Sequence, residues 1–256
     1  GGSLQEANAL TGLFVPPGPT VQIRSANNRV DIMDSQAEVA WDGPLAVMVN
    51  RLSASASEIF AGAIQDYQRG IVIGGQTFGK GTVQTLVPLN RGQLKITQGK
   101  FYRVSGQSTQ HQGVIPDIEY PQLYDHDQIG ESALDRALPW DVIRPARFRR
   151  ANSLAPVIAT LSERHRSRVG EDPEFTYLRE LLAHTREEER ADLISLNLEA
   201  RKQEQSADEA WRLALENERR KALGKEPVDS LDALDEPLDN PAAAVTGGGP
   251  SPIPPS

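Results

Sequence analysis

Short runs of apolar and β-branched residues recur along the first half of the chain. They occupy residues 21–23, 45–49, 71–73, 82–89 and 94–97, with turn-forming residues between them. Runs of this length bounded by Gly, Pro and Asn are typical of β-strands. The pattern therefore predicts that this half of the chain forms β-sheet.

One segment among these runs has the spacing of a helix. Residues 55–70 begin with small hydroxyl side chains that suit an N-cap, place Ile59, Ala63 and Tyr67 four residues apart, and end at Gly70. The order strand, helix, strand favours a right-handed crossover between two parallel strands. We therefore expect a mixed α/β fold.

The character of the chain changes near Pro116 and Pro121. From about Glu131 the sequence is rich in Leu, Ala, Arg and Glu at helical spacing, and the longest such pattern covers residues 192–221. This pattern favours an amphipathic packing helix, with a partner-binding coiled coil as the alternative. From Pro227 the composition is typical of a disordered tail. We therefore predict domains at residues 1–120 and 121–226, followed by a tail at 227–256.

Charge and composition narrow the classes of partner. The 256-residue chain has a net charge of -8 and no cysteine. Nucleic acid is disfavoured because phosphate binding needs clustered Lys and Arg, and the absence of cysteine excludes disulfides, a thiolate nucleophile and cysteine-based metal sites. No apolar run approaches the roughly 20 residues of a membrane helix. A protein or small-molecule substrate is therefore expected.

Three alternate serines lie between a predicted strand and the start of the predicted helix: Ser53, Ser55 and Ser57. A strand-to-helix turn projects a side chain into a cleft, and the first amide N–H groups of the helix can stabilise an oxyanion. The same serines could instead only cap the helix. Their position leaves both interpretations open.

A serine nucleophile needs a base, and Lys80 is the best candidate for it. The motifs GxSxG and SxxK are absent, and the four histidines, at positions 111, 126, 165 and 184, all come later in the chain. Lys80 lies in the turn TFGKG, directly after the strand that follows the serine helix, so the crossover returns it towards Ser55. A lysine amine accepts a proton at neutral pH only where burial favours its neutral form. The alternative is an exposed turn lysine.

Residues 74–80 also match the phosphate-binding pattern GxxxxGK. However, Gly81 offers no hydroxyl group to a metal ion, and the residues that follow predict a strand where a phosphate-binding loop needs a helix. A nucleotide site is therefore disfavoured.

Several segments resemble the carboxyl-terminal processing, or tail-specific, serine proteases of the serine/lysine type. They are SASASE, AGA, TFGKGTVQ, KFYRVSGQSTQHQGVIPDI and the opening GGSLQEANALTGLF. The resemblance is close over residues 1–120, and the helical region resembles the C-terminal domain of the proteobacterial periplasmic branch. It implies part of a crotonase/ClpP-like α/β core followed by an α-helical domain, in a C-terminal fragment that lacks the PDZ domain.

The resemblance also implies a role for each matching residue. Ser55 is the expected nucleophile, Lys80 the general base and Gln84 the residue that positions the lysine, while Gly1, Gly2 and Ala56 are the expected oxyanion hole. Asp66 matches an aspartate sometimes grouped with the catalytic residues. However, eleven residues of continuous helix separate it from Ser55 by about 16 Å. We therefore expect Asp66, like Glu58 and Thr77, to have a supporting role.

The activity implied is that of a serine endopeptidase acting on proteins with exposed, often apolar C-terminal tails. It works through an acyl-enzyme and needs no metal or cofactor. A periplasmic location, association with the inner membrane and an adaptor protein bound through the helical domain are further expectations from the same resemblance. The alternative is an inactive fragment or a non-enzymatic protein-interaction module.

Overall fold

The computed structural model describes residues 2–122, 124, 127–151, 153–189 and 193–234. The chain forms two compact units, residues 1–170 and 171–256, called here the N-terminal and C-terminal units. Most of the predicted tail, residues 235–256, lies outside the described residues. Among the described residues, no helix has both the length and the apolar character needed to span a membrane.

The N-terminal unit contains seven strands and three α-helices within the described residues. In chain order they are α1 (Leu4–Gly12), β1 (Gly18–Ser25), β2 (Val30–Ser35), β3 (Ala46–Val49), α2 (Ala56–Asp66), β4 (Ile71–Gly74), β5 (Thr82–Pro88), β6 (Gln93–Tyr102), β7 (Ile118–Glu119), a 3₁₀ turn (Glu131–Ala133) and α3 (Ala155–Glu171), which ends at the boundary of the unit.

These strands form two sheets of different kinds. One is antiparallel, with the order β2-β1-β6-β5, and the other is parallel, with the order β3-β4-β7. Strands β3 and β4 pair from Ala46 with Ile71 to Val49 with Gly74, and α2 connects them. The predicted parallel crossover is therefore present, and the mixed α/β fold is confirmed.

Helix α2 lies at the centre of the N-terminal core. Its Ile59 packs in one cluster with Val21 of β1 and Phe101 of β6, and its Ala61 packs in another with Val49 and Val72 of the parallel sheet. Because apolar contacts hold the helix on both sides, its N-terminus is fixed in the unit. Ser55 directly precedes that N-terminus.

The segment between the strands and α3 differs from the sequence-based expectation. The helical spacing began at about Glu131, but among the described residues 134–151 there is no helix. Ile143 N–H instead donates to Gly106 O at 2.8 Å, and Asp141 binds the Arg24 and Lys100 side chains. These contacts with the strand region, together with Pro139 and Pro145, override the weak helical pattern.

The C-terminal unit contains α4 (Pro173–Glu189), α5 (Leu198–Ala222) and a 3₁₀ turn (Leu231–Leu234). The predicted helix at residues 192–221 begins six residues late, because Asn197 caps α5 by accepting hydrogen bonds from the amides of Glu199 and Ala200. Residue 192 itself lies outside the described residues. The helical character of the region is therefore confirmed, and its start is corrected.

Candidate active site

Ser55 occupies the sharp turn that leads into α2. Its backbone has φ 59° and ψ -110°, a conformation that side-chain-bearing residues rarely adopt. Such strain persists only where the surrounding structure holds it, and it clusters at functional sites. The turn places the half-buried Ser55 side chain at a helix N-terminus, where amide N–H groups lack helical partners.

Lys80 shares a cavity with Ser55. The cavity has a volume of about 370 Å³. It is lined by Gly2, Ser3, Leu4, Gln5, Ser55, Ala56, Ile59, Lys80, Thr82, Val83, Gln84, Lys95 and Phe101. Lys80 is half-buried, and its ammonium group has no carboxylate partner in the part of the chain that the structure describes. Ser55 and Lys80 share the cavity without a hydrogen bond between their side chains.

A buried carboxylate joins the two segments that carry these residues. Glu58 accepts hydrogen bonds from the amides of Ser55 at 2.6 Å, Gly79 at 2.7 Å and Lys80 at 3.0 Å, and from Thr77 Oγ1 at 2.6 Å. We call this arrangement the Glu58 clamp. Because it holds the turn before α2 and the loop before β5 on one side chain, it fixes the spacing between Ser55 and Lys80.

Burial and hydrogen bonding shift the pKa of the Glu58 carboxyl group in opposite directions. Burial raises its pKa to about 7, while the hydrogen bonds from Thr77 and from the amides of Ser55, Gly79 and Lys80 lower it. All four donors point at the carboxyl oxygens. Among the described residues these donors are neutral dipoles and not cations, so the ionised form of Glu58 is energetically costly.

The loop that carries Lys80 is also fixed from its other side. A Cβ atom at Gly79 would lie 2.6 Å from the carbonyl oxygen of His111, and Gly79 has φ +89°, so only glycine fits. Gly81 N–H donates to Gln110 Oε1 at 2.9 Å. This close packing around Gly79 and Gly81 limits the movement of the Lys80 backbone.

The residues expected to form the oxyanion hole lie beside Ser55 as far as they are described. Ala56 is the first residue of α2, and a Cβ atom built on Gly2 would lie 3.4 Å from Ala56 Cβ. Both residues line the cavity. Gly1 lies outside the described residues.

Gln84 and Asp66 occupy different surroundings. Gln84 lines the cavity with Lys80. Lys80 itself precedes β5, which begins at Thr82, and a bulge lies in that strand between Val83 and Gln84. Asp66, at the far end of α2, pairs with Arg103 at 2.5 Å and is not among the residues that line the cavity. Its supporting role stays a prediction.

The structure adds residues to the cavity that the sequence reasoning did not single out. Lys95 of β6 supplies a second ammonium group, and Ile59 and Phe101 form part of its apolar wall. Lys95 lies in an exposed strand, and nothing in its local sequence distinguishes it from a solvated lysine. Ile59 belonged to the predicted apolar face of the helix, which gave no indication of a cavity.

Two protein-family models match the chain. Residues 1–120 match the model described as "Peptidase family S41", and residues 124–245 match the "C-terminal domain of tail specific protease". The tail-specific protease of Haemophilus influenzae is 44% identical over 254 residues, covering 94% of this chain and 36% of that protein. The carboxy-terminal-processing protease of Bartonella bacilliformis is 42% identical, covering 48% of this chain and 29% of that protein.

Among solved structures, the photosystem II D1 C-terminal processing protease is 34% identical. The match covers 47% of this chain and 32% of that chain, with a TM-score of 0.43. The chain thus spans about a third of the length of the curated relatives it matches.

Proposed function

Because the chain belongs to peptidase family S41, we propose that it supplies the nucleophile, the base and the C-terminal domain of a serine endopeptidase. Its substrates are proteins with exposed, often apolar C-terminal tails. One observation carries the assignment. A strained serine at the N-terminus of a buried helix and a lysine without a carboxylate partner among the described residues share one cavity, and both their segments are tied to Glu58.

The reaction begins with proton transfer from Ser55 Oγ to neutral Lys80 Nζ. The Ser55 oxygen attacks the peptide carbonyl carbon, and the amides of Ala56 and Gly2 stabilise the oxyanion that forms. The intermediate then collapses, the C–N bond breaks, and Lys80 returns the proton to the leaving amine. Lys80 then takes a proton from water, and the water oxygen attacks the acyl carbon. The bond from that carbon to Ser55 Oγ breaks, and Lys80 returns the proton to Ser55 Oγ. Gln84 holds the lysine side chain in position.

The lining of the cavity is mixed in character. Leu4, Ile59, Val83 and Phe101 contribute apolar atoms to this wall, and polar side chains contribute the rest. The preference for apolar C-terminal tails therefore rests on the resemblance to tail-specific proteases. Lys95 stands beside this wall as the additional cation of the cavity.

A periplasmic location and an adaptor bound through the helical region belong to the same proposal. Both rest on the resemblance to tail-specific proteases. Fractionation of cells, with the protein followed by immunoblotting beside a periplasmic and an inner-membrane marker, tests the location. Crosslinking in cells, repeated after deletion of residues 171–256, tests whether this region is needed to capture an adaptor.

The decisive experiment is labelling of the full-length protein that contains this chain with a serine-reactive fluorophosphonate, together with cleavage of a reporter protein. We expect Ser55→Ala to abolish labelling and Lys80→Ala to lower kcat by about 10³-fold or more. Lys80→Arg keeps a long basic side chain, but a guanidinium stays protonated and cannot act as the base, so this variant should be equally impaired. The matched control is Ser57→Ala, since Ser57 is not among the residues lining the cavity.

Thermal unfolding of each variant separates chemistry from folding. If folded Lys80→Ala protein is labelled as fast as the wild type, Lys80 is not the general base. If labelling is lost in Ser57→Ala but kept in Ser55→Ala, Ser57 and not Ser55 is the nucleophile. A full-length wild type that neither labels nor cleaves would instead favour an interaction module.

A further inference from the structure

Three side chains that can ligate a metal converge between the two long helices of the C-terminal unit. His184 and Glu188 are four residues apart on α4 and so share one face, and Asp208 faces them from α5. His184 Nε2 lies 3.0 Å from Asp208 Oδ1 and 3.6 Å from Glu188 Oε1. The three potential ligand atoms all lie within 4.8 Å of one another.

Arg212 occupies the other side of both carboxylates. Its Nε is 2.7 Å from Asp208 Oδ2, and its Nη2 is 3.5 Å from Glu188 Oε2. Each carboxylate therefore presents one oxygen to the arginine and the other to the histidine. Partners of this kind fix the orientation of metal ligands and offset part of their charge.

The histidine ring is held in place independently of the carboxylates. It stacks on the Trp211 ring with a centroid distance of 3.7 Å and an interplanar angle of 19°. The ring stacking orients the imidazole, and Arg212 orients the two carboxylates.

We propose that His184, Glu188 and Asp208 bind a divalent transition-metal ion, best matched by Zn²⁺, which joins α4 to α5. Zinc binds imidazole nitrogen and carboxylate oxygen at about 2.0–2.2 Å, and tetrahedral geometry then separates neighbouring ligand atoms by about 3.4 Å. The observed 3.0 and 3.6 Å lie on either side of that value. Calcium and magnesium prefer sites made of oxygen alone, so the imidazole selects against them.

The same three residues could also form an ion pair only, with a protonated imidazole between two carboxylates. Both arrangements bring the same atoms together. They differ in whether a metal adds to the structure, and that difference can be measured directly.

The test uses the whole chain, stripped of metal with EDTA and dialysed. Titration with Co²⁺ should produce a visible d–d absorption band that saturates at one equivalent and disappears when Zn²⁺ is added. Calorimetric titration with Zn²⁺ then gives the affinity. Zinc should also raise the unfolding temperature reported by Trp211 fluorescence in a Trp41→Phe, Trp140→Phe background.

Variants assign the binding to these residues. Glu188→Gln keeps the shape of a side chain that is 44% exposed, so it should fold normally while weakening zinc binding at least about tenfold. His184→Ala should abolish the stoichiometric site. His165→Ala is the matched control, because that histidine lies on α3 of the other unit and should leave the affinity unchanged.

Two results would overturn the assignment. The absence of one-to-one binding to the wild type would mean that the cluster is an ion pair only. Binding that survives both Glu188→Gln and His184→Ala would place the metal elsewhere in the chain.

Discussion

The two units each contain a nearly inaccessible glutamate, held in opposite ways. Glu58 of the N-terminal unit is 0% exposed and Glu216 of the C-terminal unit is 2% exposed. Glu58 is bound by three amides and a hydroxyl group, whereas Glu216 receives two 2.8 Å hydrogen bonds from the Arg219 guanidinium. The pKa of Glu58 rises to about 7, and that of Glu216 falls.

The contrast shows how the surroundings of a carboxylate decide its energetic role. Glu58 lies deep in the protein, where burial outweighs the hydrogen bonds from neutral dipoles. Glu216 lies beneath long side chains at a helix surface, where the guanidinium of Arg219 outweighs the loss of water. One glutamate orders the backbone of a candidate site at an energetic cost, and the other mainly contributes to stability.

The largest expected effect comes from removing the Glu58 clamp. Glu58→Ala leaves four donors without their acceptor, three of them amides of the loops at the cavity. We expect a loss of about 3–5 kcal/mol in the free energy of unfolding of the N-terminal unit. Urea unfolding followed by Trp41 and Trp140 fluorescence in a Trp211→Phe background measures it. A loss below about 1 kcal/mol would show that water replaces the carboxylate without cost.

The next effect is the dependence of stability on pH. The pKa of Glu58 in the folded protein, about 7, lies above its ordinary 4.5, so its contribution is fully present below pH 4.5 and is lost as the pH rises through 7. The change amounts to about 3 kcal/mol. Glu216, with a lowered pKa, contributes above its ordinary value and loses that contribution as the pH falls.

The difference between wild type and Glu58→Gln, measured by urea unfolding at a series of pH values, isolates this contribution. The glutamine cannot ionise, so its profile should lack the decline that Glu58 causes between pH 4.5 and 7. Parallel profiles for the two proteins would mean that the Glu58 carboxyl group titrates near its ordinary pKa.

A smaller effect is expected in the C-terminal unit. Glu216→Ala removes the bidentate partner of Arg219, but Arg219 keeps Glu174 at 2.7 Å. We expect a loss of about 1–2 kcal/mol in the unfolding of that unit, reported by Trp211, and a reduced sensitivity to NaCl. An equal loss at low and at high salt would assign the effect to packing instead of charge.

The smallest effect is expected on the exposed face of α5. Lys202 and Glu199 form an ion pair whose side chains are 62% and 73% exposed. Lys202→Ala should change the stability of the C-terminal unit by less than about 0.5 kcal/mol, because water screens the pair. The same fluorescence assay checks it. A loss as large as that of Glu216→Ala would mean that burial does not distinguish the two pairs.

Much of the succession of strands and helices along the chain could be predicted from local sequence. The apolar runs at residues 45–49 and 71–73 became β3 and β4, and the helical spacing between them became α2. Strand β2, Val30–Ser35, gave no such signal because two aspartates interrupt its apolar residues and leave no apolar run longer than Ile32-Met33. Similarly, Asn197 rather than the apolar spacing determined the start of α5.

Part of the candidate site could also be predicted from local sequence patterns. These patterns placed Ser55 before a helix and Lys80 after the strand that follows that helix. The contacts of Glu58 were not predictable, because Thr77, Gly79 and Lys80 lie 19 to 22 residues away and meet it only in the folded unit. A glutamate three residues into a helix looks like an ordinary capping residue.

The backbone at position 55 also limits which nucleophiles the fold can carry. At φ 59°, a β-branched side chain meets the preceding carbonyl group, so threonine is excluded although its hydroxyl has the same chemistry. Cysteine is unbranched at Cβ and fits the turn. The backbone of this turn therefore allows cysteine to replace Ser55 as a nucleophile but does not allow threonine. The limit comes from the backbone conformation and not from the reactivity of the side chain.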